Sequence, residues 1–139
     1  MDIMKIAFFL IPKAETAYVL ETDTIRQALE KMEYYQYTAL SVLDTEGKYK
    51  YSLTSNDFVN YMKNHPGTTF YDTEDVPLSE LEPTVDIKPI DINDDIENLI
   101  QTFTVQDYTP VIEGTGIYIG EVSATDIIDF ILDKINWEG

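Results

Sequence analysis

Cysteine is missing altogether from these 139 residues. Its absence excludes disulfides, thiolate catalysis and cysteine zinc sites, and it suits a reducing cytosol. Histidine occurs once, as His65 beside Pro66, so no second imidazole exists to complete a transition-metal site. Positive charge is scarce: nine Lys and Arg stand against 26 Asp and Glu, a net charge of −17. Residues 1–65 come close to balance, at −2, whereas residues 66–139 carry only Lys88 and Lys134 against seventeen acids, at −15. A surface this acidic repels phosphate backbones, so no nucleic acid is expected as a partner. The charge fits solubility, adaptation to salt or a basic partner. Long apolar runs are lacking too: Ile6–Ile11 is far shorter than the ~20 residues that cross a bilayer, and it lacks a signal peptide's basic flank and cleavage site. No membrane association is expected, and the protein reads as soluble and cytoplasmic. There is no phosphate loop, no nucleophile elbow and no paired nucleophile and base, so no catalytic residue is assigned and the chain is not expected to be an enzyme.

What is present is repetition. Pro12 is matched by Pro83, Ile25 by Ile96, Ala28 by Leu99, Leu29 by Ile100, Met32 by Phe103 and Tyr37-Thr38 by Tyr108-Thr109, each 71 residues on. After a turn that is two residues shorter in the second copy, the offset becomes 69. Thr54-x-x-Asp57 is then answered by Ser123-x-x-Asp126, and Phe58-Val59 by Ile127-Ile128. A period of this length means two copies of one supersecondary unit. Units of about 50 residues are marginal alone, so the two are expected to share a core.

In the first copy Ala17–Leu20 reads as a strand, and Thr24-Ile25-Arg26-Gln27 as a capping box opening a helix with Ile25, Ala28, Leu29 and Met32 on its buried face. Tyr37–Leu43 and Tyr49–Leu53 form a hairpin about Asp44-Thr45-Glu46-Gly47, and a helix follows from about Asn56 to Lys63. The second copy repeats the order. Ile87–Ile90 is its lead strand, irregular or at an edge because of Pro89. Asp94 or Asp95 caps a helix that buries Ile96, Leu99, Ile100 and Phe103. Pro110–Glu113 and Ile117–Val122 make the hairpin about Gly114-Thr115-Gly116. The last helix, from Asp126 to about Asn136, carries Ile127, Ile128, Phe130, Ile131, Leu132, Ile135 and Trp137, more than one buried stripe needs, which points to a second subunit packed on it. Asn64–Glu82, with its Pro, Gly and acids, reads as a surface connection.

Gly120-Glu121-Val122-Ser123-Ala124-Thr125-Asp126 has the form Gly-x-x-Ser/Thr-x-x-Asp, and Tyr108-Thr109-Pro110-Val111-Ile112 the form x-x-Pro-Val-hydrophobic. With the first-helix pattern Asp23–Met32 and the hairpin Val42–Gly47, this ordered double set resembles the tandem cystathionine-β-synthase (CBS) domain pair, or Bateman module, in its stand-alone bacterial form. The resemblance implies an α/β fold of two β-α-β-β-α CBS motifs packed about a pseudo-two-fold axis as one compact module. The first motif would span residues 11–65, an acidic connector 66–81 and the second motif 82–135. It further implies a regulatory sensor that needs no cofactor, binds an adenine nucleotide or other adenosyl compound in clefts between the motifs, and acts as a homodimer on some regulated protein.

By the same resemblance, the aspartate at the start of each second helix takes the ribose hydroxyls and the Ser/Thr three residues earlier lies near the phosphates. Carried over by position, one cleft takes Lys13, Ala14, Tyr37, Thr38, Thr54 and Asp57, and the other Thr84, Val85, Tyr108, Thr109, Ser123 and Asp126. The chemistry agrees. A carboxylate accepts two hydrogen bonds from a cis-diol, and a helix start favours an anion. The copies depart from the pattern in different ways. Tyr51 stands where the second copy has Gly120, so it either fills its cleft or stacks on a base, and Ala39 stands where the second has Pro110. A glycine at that place lets a ligand approach the backbone. Lys13 maps onto Thr84, which leaves the second cleft without a cation and predicts weak or selective binding of a ligand with little phosphate charge.

Plainer readings stand beside these. Thr54-x-x-Asp57 and Ser123-x-x-Asp126 are also ordinary capping boxes. Asp91–Glu97 hints at calcium, but the sixth and twelfth loop positions hold Ile96 and Thr102 instead of Gly and Glu. The ten tyrosines serve mainly as half-buried packing groups. The alternative function is a ligand-free CBS scaffold whose acidic half docks a basic protein partner.

Overall fold

The computed structural model describes residues 5–138, with side chains as far as Asp133. In chain order the elements are α1 Ile6–Phe9, β1 Ile11–Pro12, β2 Tyr18–Leu20, α2 Ile25–Tyr35, β3 Ala39–Leu43, β4 Tyr49–Thr54, α3 Ser55–Asn64, β5 Ile90–Asp91, α4 Ile96–Thr102, β6 Tyr108–Glu113, β7 Ile117–Ser123 and α5 Ala124–Glu138. Short 3₁₀ turns lie at Lys13–Glu15, Tyr71–Asp75 and Leu78–Glu80. None of the described helices is long and apolar enough to cross a membrane. The chain divides into two α/β units: Ala17 to Ile87 makes one, and the residues up to Thr16 join those from Lys88 onward in the other.

The Ala17–Ile87 unit is built on a sheet of order β2-β3-β4, parallel between β2 and β3 and antiparallel between β3 and β4. The hairpin turn forms because the Asp44 carboxylate accepts the Glu46 and Lys48 amides at 2.8 and 2.9 Å, while Gly47 takes the positive φ of 86° that the turn requires. At the start of α2 the Thr24 capping box closes both ways: Thr24 N donates to Gln27 Oε1 at 2.8 Å, and Gln27 N donates to Thr24 Oγ1 at 3.3 Å. Ile25 and Ala28 are buried with Val19, Leu40, Val42, Leu53 and Phe58, and Leu29 and Met32 pack at the margin. The connection does more than cross the surface. Leu78 and Leu81 are buried in this core, and Val76 and Leu78 are stitched to Ile25 and Asp23 by two backbone hydrogen bonds of 2.9 Å. Alternating apolar residues between acids and prolines gave this segment a polar average that hid its buried positions.

The other unit has a sheet of order β1-β7-β6-β5. β5 is two residues long and starts only after Pro89, which lacks the amide a longer strand would need. The core collects Ile6, Phe9, Ile90, Leu99, Val111, Val122 and Ile127. On α4 the expected buried face is narrower. Leu99 is buried, Ile96 and Phe103 are partly covered, and Ile100 is exposed because a helix of under two turns covers the sheet along one line only. On α5, Ile127 is buried while Ile128, Ile131 and Leu132 stand about half exposed. Ile135 and Trp137 lie outside the described side chains. Leading β1 pairs antiparallel with β7, Ile11 opposite Glu121 and Pro12 opposite Gly120. The segment that opens the first repeat therefore completes the sheet of the second.

Candidate functional site

Asp57 lies in the first turn of α3 and is 2 % exposed. Its Oδ2 accepts the Thr54 amide at 2.8 Å and the Thr54 hydroxyl at 3.3 Å. Its Oδ1 accepts the amide and the hydroxyl of Thr84, at 3.0 and 2.7 Å. A carboxylate offers about four lone-pair directions, and all are taken. In this conformation no acceptor is left for a diol.

The equivalent Asp126, in the first turn of α5, is half-buried. Its amide donates to Ser123 Oγ at 3.2 Å, which is one half of a capping box. The carboxylate does not return the bond, and it accepts none from the described residues. The two capping motifs are alike in sequence and differ in what the acid is free to do.

Gly120 and Tyr51 also part company for a structural reason. Gly120 has φ 152°, and a Cβ there would collide with the Ile11 carbonyl oxygen and come within 2.9 Å of Leu10 Cδ1. The glycine is required by the close pairing of β1 with β7, which differs from the expected role of admitting a ligand. β4 has no such neighbour within its unit, since β2-β3-β4 ends there, and Tyr51 is tolerated. Tyr51 is half-buried against the core and lines, without filling, a cavity of about 300 Å³ shared with Lys50 and the Pro83–Ile87 segment. Burial, then the charge of Glu21, raises its phenol above the usual value.

The remaining candidates regroup. Tyr37, Thr38, Thr54 and Asp57 share a unit with Thr84 and Val85, whereas Lys13 and Ala14 share theirs with Tyr108, Thr109, Ser123 and Asp126. Signature and cation thus occur together, in the unit of Asp126. Tyr37 packs at the edge of its core, and the exposed Thr38 presents its carbonyl to the Ser55 amide at 2.9 Å. Val85 and Ala14 are exposed, and Lys13 and Tyr108 are half-buried. Thr109 is fully buried, its hydroxyl 2.7 Å from Thr102 Oγ1 and accepting from Gln106 Nε2 at 3.2 Å, so it braces β6 from within.

One group escaped sequence reasoning. Glu121 is 7 % exposed, and Tyr118, fully buried, places its hydroxyl 3.4 Å from Glu121 Oε1 and 3.0 Å from Thr16 Oγ1. Burial pushes the Glu121 carboxyl up to about 7, Tyr118 pulls it down and the charge of Asp126 pushes it up again. An acid inside the apolar strand Ile117–Val122 was the signal available. Among the described residues no three His, Asp or Glu side chains gather to hold a metal ion.

The CBS domain family model matches the sequence twice, at residues 10–64 and 78–133. No curated protein matches it. Among solved structures, a hypothetical conserved protein from Geobacillus kaustophilus superposes with a TM-score of 0.82 at 18 % identity, over 94 % of this chain and 98 % of its own. CbpB of Listeria monocytogenes in complex with c-di-AMP gives 0.80 at 17 %, over 94 % and 97 %. A further CbpB in complex with c-di-AMP gives 0.80 at 16 %, over 98 % and 91 %. At these identities the likeness is one of fold.

Proposed function

Since the chain belongs to the CBS domain family, we propose that it is a regulatory module, not an enzyme, that binds an adenosyl ligand through the unit carrying Lys13, Ser123 and Asp126 and acts as a homodimer. The observation that carries this reading is the half-buried Asp126 carboxylate, which accepts no hydrogen bond from the described residues, whereas the Asp57 carboxylate is filled by Thr54 and Thr84. A free carboxylate at a helix start takes both hydroxyls of a ribose. Lys13 adds positive charge for a phosphate to the same unit. The c-di-AMP bound by two CbpB proteins of similar fold supports an adenosyl phosphate as the ligand class. The sealed Asp57 favours a scaffolding role for its own unit, where Thr84 takes the place a diol would occupy.

Calorimetric titration with c-di-AMP, AMP, ATP and S-adenosylmethionine tests the reading. Binding of at least one of them is expected, lost with Asp126→Ala and kept with Asp57→Ala. No heat from any of them at millimolar concentration, or loss with Asp57→Ala alone, overturns it.

A further inference from the structure

The hydroxyls behind β7 obey a proton count. Thr16 donates its single hydroxyl proton to the Lys13 carbonyl at 2.9 Å. Towards Tyr118, 3.0 Å away, Thr16 is therefore an acceptor, and it claims the one Tyr118 hydroxyl proton. Glu121 Oε1, 3.4 Å from Tyr118 Oη, competes for that same proton, and while the proton lies on the nearer Thr16 the contact is bonded only when Glu121 carries a proton of its own.

We propose that Glu121 is a proton-dependent positioning residue: as the neutral acid it completes a one-way chain from Glu121 through Tyr118 and Thr16 to the Lys13 carbonyl, holding the Lys13–Glu15 turn against β7. When Glu121 ionises, it draws the Tyr118 proton to itself and Thr16 loses its donor. The turn that carries Lys13 and Ala14 is then tied to the strand by one bond fewer. The charged and titratable groups on the elements packed against β7 are Lys13 and Glu15 on the turn, Tyr108 and Glu113 on β6, and, in the sequence of α5, Asp126, Asp129, Asp133, Lys134 and Glu138; β1 has none. Acids outnumber bases there, so each added negative charge on β7 is unfavourable. The carboxyl titrating at about 7 puts the change within the physiological range.

The consequence for binding rests on the adenosyl reading above. An anionic ligand entering beside Asp126 prefers a neutral Glu121, so its affinity should fall as pH rises through neutrality. If only the protonated form is competent, the apparent affinity scales with that fraction, an about tenfold loss between about pH 6 and about pH 8. We would titrate c-di-AMP, whose phosphodiesters do not change charge in that window. Wild type should weaken about tenfold, whereas Glu121→Gln, whose amide donates to Tyr118 at any pH, should bind equally at both ends and near the wild-type acid value. In parallel, carbon-13 NMR of the unliganded wild type should show the Glu121 carboxyl and the Thr16 amide, which donates to Lys13 O at 3.1 Å, shifting with one midpoint near 7. A midpoint in the ordinary carboxylate range, or a pH slope that persists in Glu121→Gln, overturns the proposal. If c-di-AMP fails to bind at every pH, the adenosyl reading is damaged, and the NMR midpoints still decide the role of Glu121.

Discussion

Thr84 gives both its backbone amide and its hydroxyl to a single oxygen of Asp57, at 3.0 and 2.7 Å. Two donors converging on one carboxylate oxygen reproduce what the hydroxyls of a ribose would offer it. A residue that opens the second repeat thus satisfies the buried acid of the first from the surface. Lys13, its counterpart in the repeat, closes nothing of the kind on Asp126.

This contact should show in stability and be silent in binding. Asp57→Ala strands four donors around a buried site, and a loss of about 3 kcal/mol is expected, since hydrogen bonds to a charged group are individually strong. Thr84→Val removes the hydroxyl and keeps the amide, so about 1 kcal/mol should go. Urea unfolding of both variants checks the order. Equal losses, or none from Asp57→Ala, would remove the lock.

The repeat, the hairpins and the Thr24 cap were legible in the sequence because each depends on residues within one turn or one strand of each other. The Thr24 box needs only Gln27, and the hairpin turn only Asp44 and Gly47. What was hidden depends on partners far along the chain. Nothing near Gly120 announces Ile11, and nothing near Asp57 announces Thr84. The same limit made Thr54-x-x-Asp57 and Ser123-x-x-Asp126 look equivalent, and it did not show that Lys13 folds into the unit of Asp126. The expected buried role of Ile100 failed for a different reason, the shortness of α4, which periodicity alone does not reveal.

Gly120→Ala tests why the glycine is there. The new Cβ would strike the Ile11 carbonyl, and φ 152° is strained for any side chain. β1 must move off β7, at a cost of about 2–3 kcal/mol, in the range of overpacked sites. Hydrogen exchange should show lost protection at Ile11 and Glu121 and unchanged protection in β3 and β4. A ligand-access role would instead leave exchange as it is and weaken only binding.

The outer side of α5 carries the dimer expectation. Ile128, Ile131 and Leu132 stand at i, i+3 and i+4 and are about half exposed, a stripe that an isolated chain would leave in water. Sedimentation equilibrium should give a dimer for wild type and a monomer for Ile131→Lys with its circular dichroism intact. A wild-type monomer at micromolar concentration would remove the homodimer from the proposed function.

The pH profile of stability should tilt toward acid. An acid whose folded value lies above its unfolded one stabilises fully below the unfolded value, and the contribution is lost as pH rises to the folded value. For Glu121 that window runs from 4.5 to about 7. The shift corresponds to a loss on the order of 3 kcal/mol across it. Asp44, Asp72 and Asp94 act in the opposite sense. Their folded values are lowered, chiefly by the Lys48 amide, the Thr69 amide and the Asn98 side chain respectively, so their contribution holds above the ordinary aspartate value and is lost as pH falls through the folded one. Asp72 and Asp94 are exposed and Asp44 lies at the surface of its turn, and solvent screening keeps their share small. With a net charge of −17, self-repulsion also eases on mild acidification. The melting temperature of wild type should therefore peak on the acid side of neutrality and fall towards pH 7, while that of Glu121→Gln should fall much less over the same range. Parallel profiles for the two proteins would mean that Glu121 titrates as an ordinary surface acid and that the tilt belongs to net charge alone.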